Sequence, residues 1–212
     1  MVVVLIAGGH GLGKSTTATK LRDSLRRSDA NVALVNMGEF ETLVNEDWDD
    51  GDQRVILVDK SGISRTALRP LRFDFDRILT EVLNLTSDHV VIIVHGLYAL
   101  HDRRLRNIAQ LKVYLHGDPD TRLIRWLRRD VVLGKYLLGR VLNYYVEGAK
   151  QEMTEYVMPT KEYADIILPG AEDTAVQLIV DSIEQQVSHT SKVSTPRTNM
   201  LRRREGSFFD AS

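Results

Sequence analysis

The sequence predicts an α/β fold, with a central parallel sheet of about five strands and helices on both of its faces. Three observations predict it. Short β-branched runs alternate with longer charged stretches, as they do where each strand is buried on both faces and helices cross over between strands. The first run, residues 2–7, leads directly into the glycine-rich turn "GGHGLGKSTT" and a helical pattern. The 212 residues, none of them cysteine, suffice for one hydrophobic core without disulfides or a structural metal.

Strands are expected at residues 2–7, 32–35, 55–58, 90–94, 112–115 and 166–168, each a short apolar run between polar segments. Helices are expected at 15–27, 73–85, 119–130, 138–156 and 174–187. The third strand-to-helix junction carries its own start signal, Asp118 as N-cap followed by Pro119 in the first turn. Residues 41–54, "ETLVNEDWDDGDQR", are acidic and aperiodic and read as a surface loop. From Ser188 onward the chain is polar, carries Pro196 and has no apolar period, which predicts a domain over 1–187 and a disordered tail over 188–212. In that tail Arg202, Arg203 and Arg204 precede Ser207, the pattern of a solvated charge run or a basophilic phosphorylation site.

Gly8-x-x-x-x-Gly13-Lys14-Ser15 is a complete phosphate-loop pattern in its required setting, after a strand and before a helix. Residues Gly8, Gly9, His10, Gly11, Leu12, Gly13, Lys14, Ser15 and Thr16 are therefore the expected nucleotide cradle. Glycines allow successive backbone N–H groups to turn toward phosphate oxygens, and the helix N-terminus adds its positive dipole end. Lys14 suits the β and γ phosphates, and the Ser15 hydroxyl suits Mg2+. The pattern alone serves kinases, GTPases and ATPases alike, although the chain has no Asn-Lys-x-Asp guanine motif.

Lys and Arg total 28 against 29 for Asp and Glu, a net charge of −1, so no global field draws the protein onto nucleic acid or an anionic membrane. The apolar N-terminus lacks a basic n-region, and no run approaches the ~20 apolar residues of a membrane span. The expectation is a soluble cytoplasmic protein acting on small molecules.

The second half of the chain resembles the uridine-cytidine kinases. "GLYALHDRRLRNIAQLKVYLHGDPDTRLIRWLRRD", residues 96–130, is similar to that family's "EGILAL" strand end followed by "KLFVDTDxDxRLxRRxxRD". "MPTKEYADIILPG", residues 158–170, is similar to its "PTKKYADIIIPRG". The resemblance implies a P-loop kinase fold, ATP and Mg2+ as cosubstrate and metal, a nucleoside acceptor and a homo-oligomer. It also implies an arginine lid around 122–140 in which Arg122, Arg125 and Arg129 clamp phosphates, with Arg125 and Arg129 carrying catalytic weight beside Lys14. Planar guanidinium groups fit that role because phosphoryl transfer depends mainly on positioning and charge stabilisation.

The chain departs from the family at its carboxylates. "VNMGEFETL" puts Gly38 where the family has its acceptor-side Asp, with Glu39 adjacent, and "VIIVHGLY" puts His95 where it has a Glu near Mg2+. Leu68 replaces the ribose-gripping Asp, and the lid's "RGR" becomes Gly134 and Tyr136, with Lys135 and Arg140 as replacements. "VILVD" ends in Asp59 and has the shape of a Walker B strand. If that strand lies beside the phosphate-loop strand, Asp59 holds Mg2+ or acts as base; otherwise it is a solvent-facing strand end. Three functions follow: a kinase of uridine or cytidine, a kinase of another small alcohol, or an inactive nucleotide-binding regulator or partner subunit.

Overall fold

A computed structural model describes residues 1–27, 30–42, 57–58, 64–65, 70–133, 136–170 and 172–193. Its centre is β1 (Val2–Gly8), every residue of which is buried. The chain continues through α1 (Lys14–Arg27), β2 (Val32–Asn36), β3 (Leu57–Val58), β4 (Ser64–Arg65), α2 (Phe75–Leu85), β5 (Val91–His95), α3 (Arg103–Ile108) and β6 (Leu111–Leu115). It ends with α4 (Pro119–Leu127), α5 (Leu138–Tyr144), α6 (Lys150–Glu152), β7 (Ile166–Leu168) and α7 (Asp173–Val193). Five strands form one parallel sheet in the order β2-β5-β1-β6-β7.

Both sheet faces are covered, which is why the strands lack polar alternation. Val2, Val4 and Ile6 of β1 pack with Leu21 and Leu25 of α1 and Ile179 and Ile183 of α7. Their neighbours Val3, Leu5 and Ala7 point the other way, against Ile78 and Val82 of α2, Tyr98, Tyr114 and Val157. Parallel pairing brings the carboxyl ends of β1, β5 and β2 together, with Ile6 opposite His95 and His95 opposite Asn36. Ligands of open α/β sheets gather at such an edge.

Helix starts follow local chemistry. Asp118 accepts from the N–H groups of Asp120 (2.9 Å) and Thr121 (3.0 Å) with Pro119 in the first turn, as its sequence predicts. Asp74 likewise accepts from Arg77 N–H at 2.9 Å and starts α2 two residues after the expected start of that helix. The short α3, capped by Asp102 through Arg104 N–H, escapes a periodicity reading because it is barely longer than one turn.

Three expectations need correction. The strand expected at 55–58 is not in the parallel sheet: β3 pairs antiparallel with β4 in a separate ladder, and β5 and β6 flank β1 instead. Residues 119–130 and 138–156 do not form two regular helices, because wide π-type turns occupy Arg128–Val132, Tyr145–Ala149 and Met153–Val157. The last helix runs to Val193, past the predicted domain end at 187, since no proline or glycine interrupts it there. Residues 194–212, including Arg202 to Ser207, and most of the acidic segment 41–54 lie outside the described residues. Among the described residues no helix is long and apolar enough to cross a membrane.

Gly96, which follows β5, donates its N–H to Ile6 C=O at 3.1 Å. A Cβ there would lie 2.5 Å from Met37 Cβ, and Met37 is fully buried. Gly96→Ala is expected to cost about 1–3 kcal/mol through overpacking. In urea unfolding, Gly96→Ala combined with Met37→Gly, which removes the facing Cβ, should lose less than the sum of the two single losses.

Candidate active site

The phosphate loop is built by the register of β1 with β6. At the last paired residue, Gly8 has φ +145° and a Cβ would meet Leu115 C=O at 2.5 Å, so a side chain there is excluded. Gly11 has φ +74° and a Cβ would meet Arg122 C=O at 2.5 Å, so the loop passes directly under the start of α4. α1 then opens with no acidic residue in its first turn, and Thr17 N–H bonds Gly13 C=O at 2.8 Å. Ser15 and Thr16 are exposed on that turn. This is a concave, electropositive helix terminus of the kind that binds phosphate.

Lys14 curls back over the loop and donates to Gly9 C=O at 2.7 Å. Burial of its ammonium, aided by the charges of Arg129 and Arg122 and opposed by Glu152, lowers its pKa to about 7. An anion beside Lys14 would add to the weak counter-charge of Glu152 and favour the ammonium. Arg122 lies against Gly9, whose notional Cβ would sit 2.6 Å from an Arg122 guanidinium nitrogen. Its buried Nε has no hydrogen-bond partner among the described residues. Arg125 is exposed, with its Cβ beside Gly11. Arg129 is forked onto its neighbour Asp130 at 2.7 and 2.6 Å and borders the cleft described next. Arg122 and Arg125 thus reach the phosphate loop itself, while Arg129 acts on Lys14 through its field.

A cleft of about 360 Å3 opens beside the loop, within the size range of small-molecule sites. His10, Glu41, Arg72, Trp126, Arg129, Asp130, Arg140 and Tyr144 are among the residues that line it. Beneath it lies a buried polar network centred on Glu152, whose side chain is 1% exposed. Tyr98 Oη donates to Glu152 Oε1 at 2.6 Å, Arg72 Nη2 pairs with the same oxygen at 3.1 Å, and His10 Nε2 lies 3.4 Å from Oε2. Burial pushes the Glu152 carboxyl upward, but hydrogen bonding from His10 and the Arg72 charge hold it below the usual range. Arg72 also pairs with Glu41 at 3.0 Å and lies 5.0 Å from the Phe73 ring centroid. Burial raises Glu41 despite that partner. Burial chiefly raises the Tyr144 hydroxyl, to about 12.

His10 stacks on Trp126 at 4.5 Å between ring centroids and 19° between planes. Burial lowers its pKa, with Lys14 and Arg72 acting in the same direction and Glu152 against them. His95 is buried at the end of β5, and burial and then Lys14 lower it too, against Glu39. Gly38 and the exposed Glu39 sit in a 3-10 turn, Met37–Phe40. Asp59, Leu68, Gly134 and Lys135 lie outside the described residues. The short strand β3 that precedes Asp59 is not beside β1, whose neighbours are β5, ending in His95, and β6.

Local sequence places Glu41 in an acidic surface loop and does not single out Glu152, Arg72 or Tyr98. Glu152 carried a usable signal: it shares a helical face with Ala149, Met153 and Val157, all buried, and a carboxylate on an apolar face needs a partner. Arg72 gives no local sign of burial, since its partners are 31 residues upstream and 80 downstream.

Comparison with known proteins places this geometry in a family. The profile of the phosphoribulokinase/uridine kinase family matches residues 72–177. A uridine kinase from Limosilactobacillus reuteri (strain DSM 20016) is 31% identical over 211 residues, covering 86% of this chain and 90% of that protein. The chain belongs to the phosphoribulokinase/uridine kinase family. A second uridine kinase, from Halobacterium salinarum, is 29% identical over 195 residues, with 86% and 87% of the two chains covered. The crystal structure of a "putative fructose transport system kinase" from Silicibacter sp. TM1040 superposes with a TM-score of 0.57 at 18% identity. It covers 79% of this chain and 89% of that one, and it supports the P-loop kinase fold.

The two buried rings give the site a pH signature. Unfolded, His10 and His95 bind protons near pH 6.5; folded, their lowered pKa values keep them neutral to more acid pH. Stability is therefore lost as pH falls below about 6.5. Glu41, raised by burial, offsets part of that loss at the acid end. The melting temperature should be lower at pH 5.5 than at pH 7.5, and His95→Gln should flatten the dependence; a Tm that does not change between these pH values would contradict the assignment.

Proposed function

We propose that this member of the uridine kinase type is an ATP-dependent phosphotransferase that moves the γ-phosphate of ATP to a hydroxyl of a nucleoside, uridine or cytidine, or of a similar small alcohol. One observation carries the reading: the phosphate loop and the cleft share a residue, since His10 belongs to both. An acceptor in the cleft would lie next to phosphates held by the loop, which is the juxtaposition phosphoryl transfer needs.

The residues present fit the absent groups. Glycine backbone, the N-terminus of α1, Lys14 and the unpartnered Arg122 Nε suit a nucleotide's phosphates. Mg2+ keeps several waters and takes few protein ligands, so the exposed Ser15 hydroxyl fits it; no cluster of three acidic or histidine side chains exists among the described residues to form a cage. When bound, Mg2+ would neutralise charge on the phosphates. Lys14 would hold the terminal phosphates, and Arg122 and Arg125 would cover them from α4. Arg129 would join them on leaving Asp130, a movement the exposed guanidinium allows. The walls of the cleft would exclude water from the acceptor.

A second reading keeps the chemistry and changes the acceptor. It is favoured by the Glu41–Arg72–Glu152 arrangement, in which a buried guanidinium shared by two carboxylates forms part of the cleft wall, and by Gly38, which stands where the family pattern has an Asp. In either reading residues 1–187 carry the activity, in a cytoplasmic homo-oligomer.

Lys14→Ala should abolish most of the thermal stabilisation that MgATP gives the wild type. An unchanged shift would refute the site. A screen of uridine, cytidine and other small alcohols for ADP release and a phosphorylated product then identifies the acceptor. ATP binding with no product from any of them would favour a regulatory nucleotide-binding role.

A further inference from the structure

Among the described residues His10 is the one side chain that lines the cleft, belongs to the phosphate loop and touches the buried network. Its geometry is constrained on each side. Trp126 of α4 stacks on its face, fixing the ring plane, and Glu152 of α6 holds one ring nitrogen. Glu152 is an ionised carboxylate, kept so by Arg72 and Tyr98, and such a group can only accept. The proton on the His10 ring therefore sits on Nε2, donated to Glu152 Oε2, and Nδ1 carries the free lone pair.

We propose that His10 is the catalytic base of the phosphotransfer, with Glu152 as its positioning residue. This rests on the kinase reading above and supplies the group that Gly38 cannot. The acceptor's hydroxyl oxygen forms a bond to the γ-phosphorus of ATP as the bond from that phosphorus to the β,γ-bridging oxygen breaks. ADP leaves, and the hydroxyl proton passes to His10 Nδ1 and then to solvent. The stoichiometry is one ATP and one alcohol giving ADP, one phosphate ester and one proton.

The surroundings keep the base ready. Lys14 of α1 and Arg72, in the turn before α2, oppose a charge on the ring, as does its burial, while Glu152 favours it. The other charged groups lining the cleft are Glu41, Arg129, Asp130 and Arg140. The balance lowers the ring's pKa from 6.5, so His10 is neutral and able to accept a proton at pH 7. Glu41 is the nearest competitor for the role, but its carboxylate is paired with Arg72.

The test is His10→Gln, whose amide can still donate toward Glu152 but has no basic nitrogen. The acceptor panel is uridine, cytidine, hexoses and hydroxy acids. The expected result is MgATP affinity within about 3-fold of wild type and a kcat lower by about 100-fold or more. The acid limb that His10 imposes on kcat below pH 6.5 should also be absent from the variant. Long-range 1H–15N correlation of the wild-type ring should show Nε2 protonated and Nδ1 bare at pH 7.5. Turnover within 3-fold of wild type in His10→Gln, or a ring protonated on Nδ1, overturns the base role while leaving the kinase reading intact. MgATP binding without transfer to any alcohol by the wild type overturns the kinase reading, and the base role with it.

Discussion

The site depends on one buried charge. Glu152 is almost fully withdrawn from solvent, and a carboxylate there is tolerated only with hydrogen bonds and a counter-charge. Those come from three separate places: His10 of the phosphate loop, Tyr98 after β5, and Arg72 before α2. The solvation need of one side chain therefore ties the phosphate loop to the wall of the cleft. The wide π-type turns on either side of Lys150–Glu152 belong to the same arrangement, since they set which face of that stretch meets the sheet.

On the phosphate side the problem is inverted. Lys14, Arg122 and Arg125 gather around a positive helix terminus, and desolvation together with mutual repulsion drives Lys14 far below its ordinary pKa. Positive charge assembled without an anion costs stability, and a phosphate binding there relieves that cost. Arg129, which repels Lys14 through its field, is itself forked onto Asp130. The protein thus holds a charge-paired network under the cleft and an excess of positive charge around the phosphate loop.

Much of the frame was legible in the sequence because it depends on local chemistry. β-branched runs marked the five strands of the sheet, Gly8 to Ser15 marked the loop, and Asp118-Pro119 marked the start of α4. What was not legible depends on distant partners. A run such as 55–58 has the same composition whether it enters a parallel sheet or pairs with its neighbour, so Asp59 drew an argument from a sheet position that β5 occupies. Glu41 looked like part of an acidic surface loop because its partner Arg72 lies on the other side of that loop. His10 was legible as a loop residue, whereas its contact with Glu152, 142 residues away, was not.

The central claim is that Glu152 and Arg72 form one electrostatic unit joining the phosphate loop to the cleft wall. The direct measurement is a double-mutant cycle in chemical unfolding with Glu152→Gln and Arg72→Met. Each single change leaves a buried charge or its network incomplete and should cost about 3 kcal/mol or more. The double variant should lose less than the sum by at least about 1 kcal/mol, because neither charge is left behind. Single losses that are small and add to within about 0.5 kcal/mol would contradict the account.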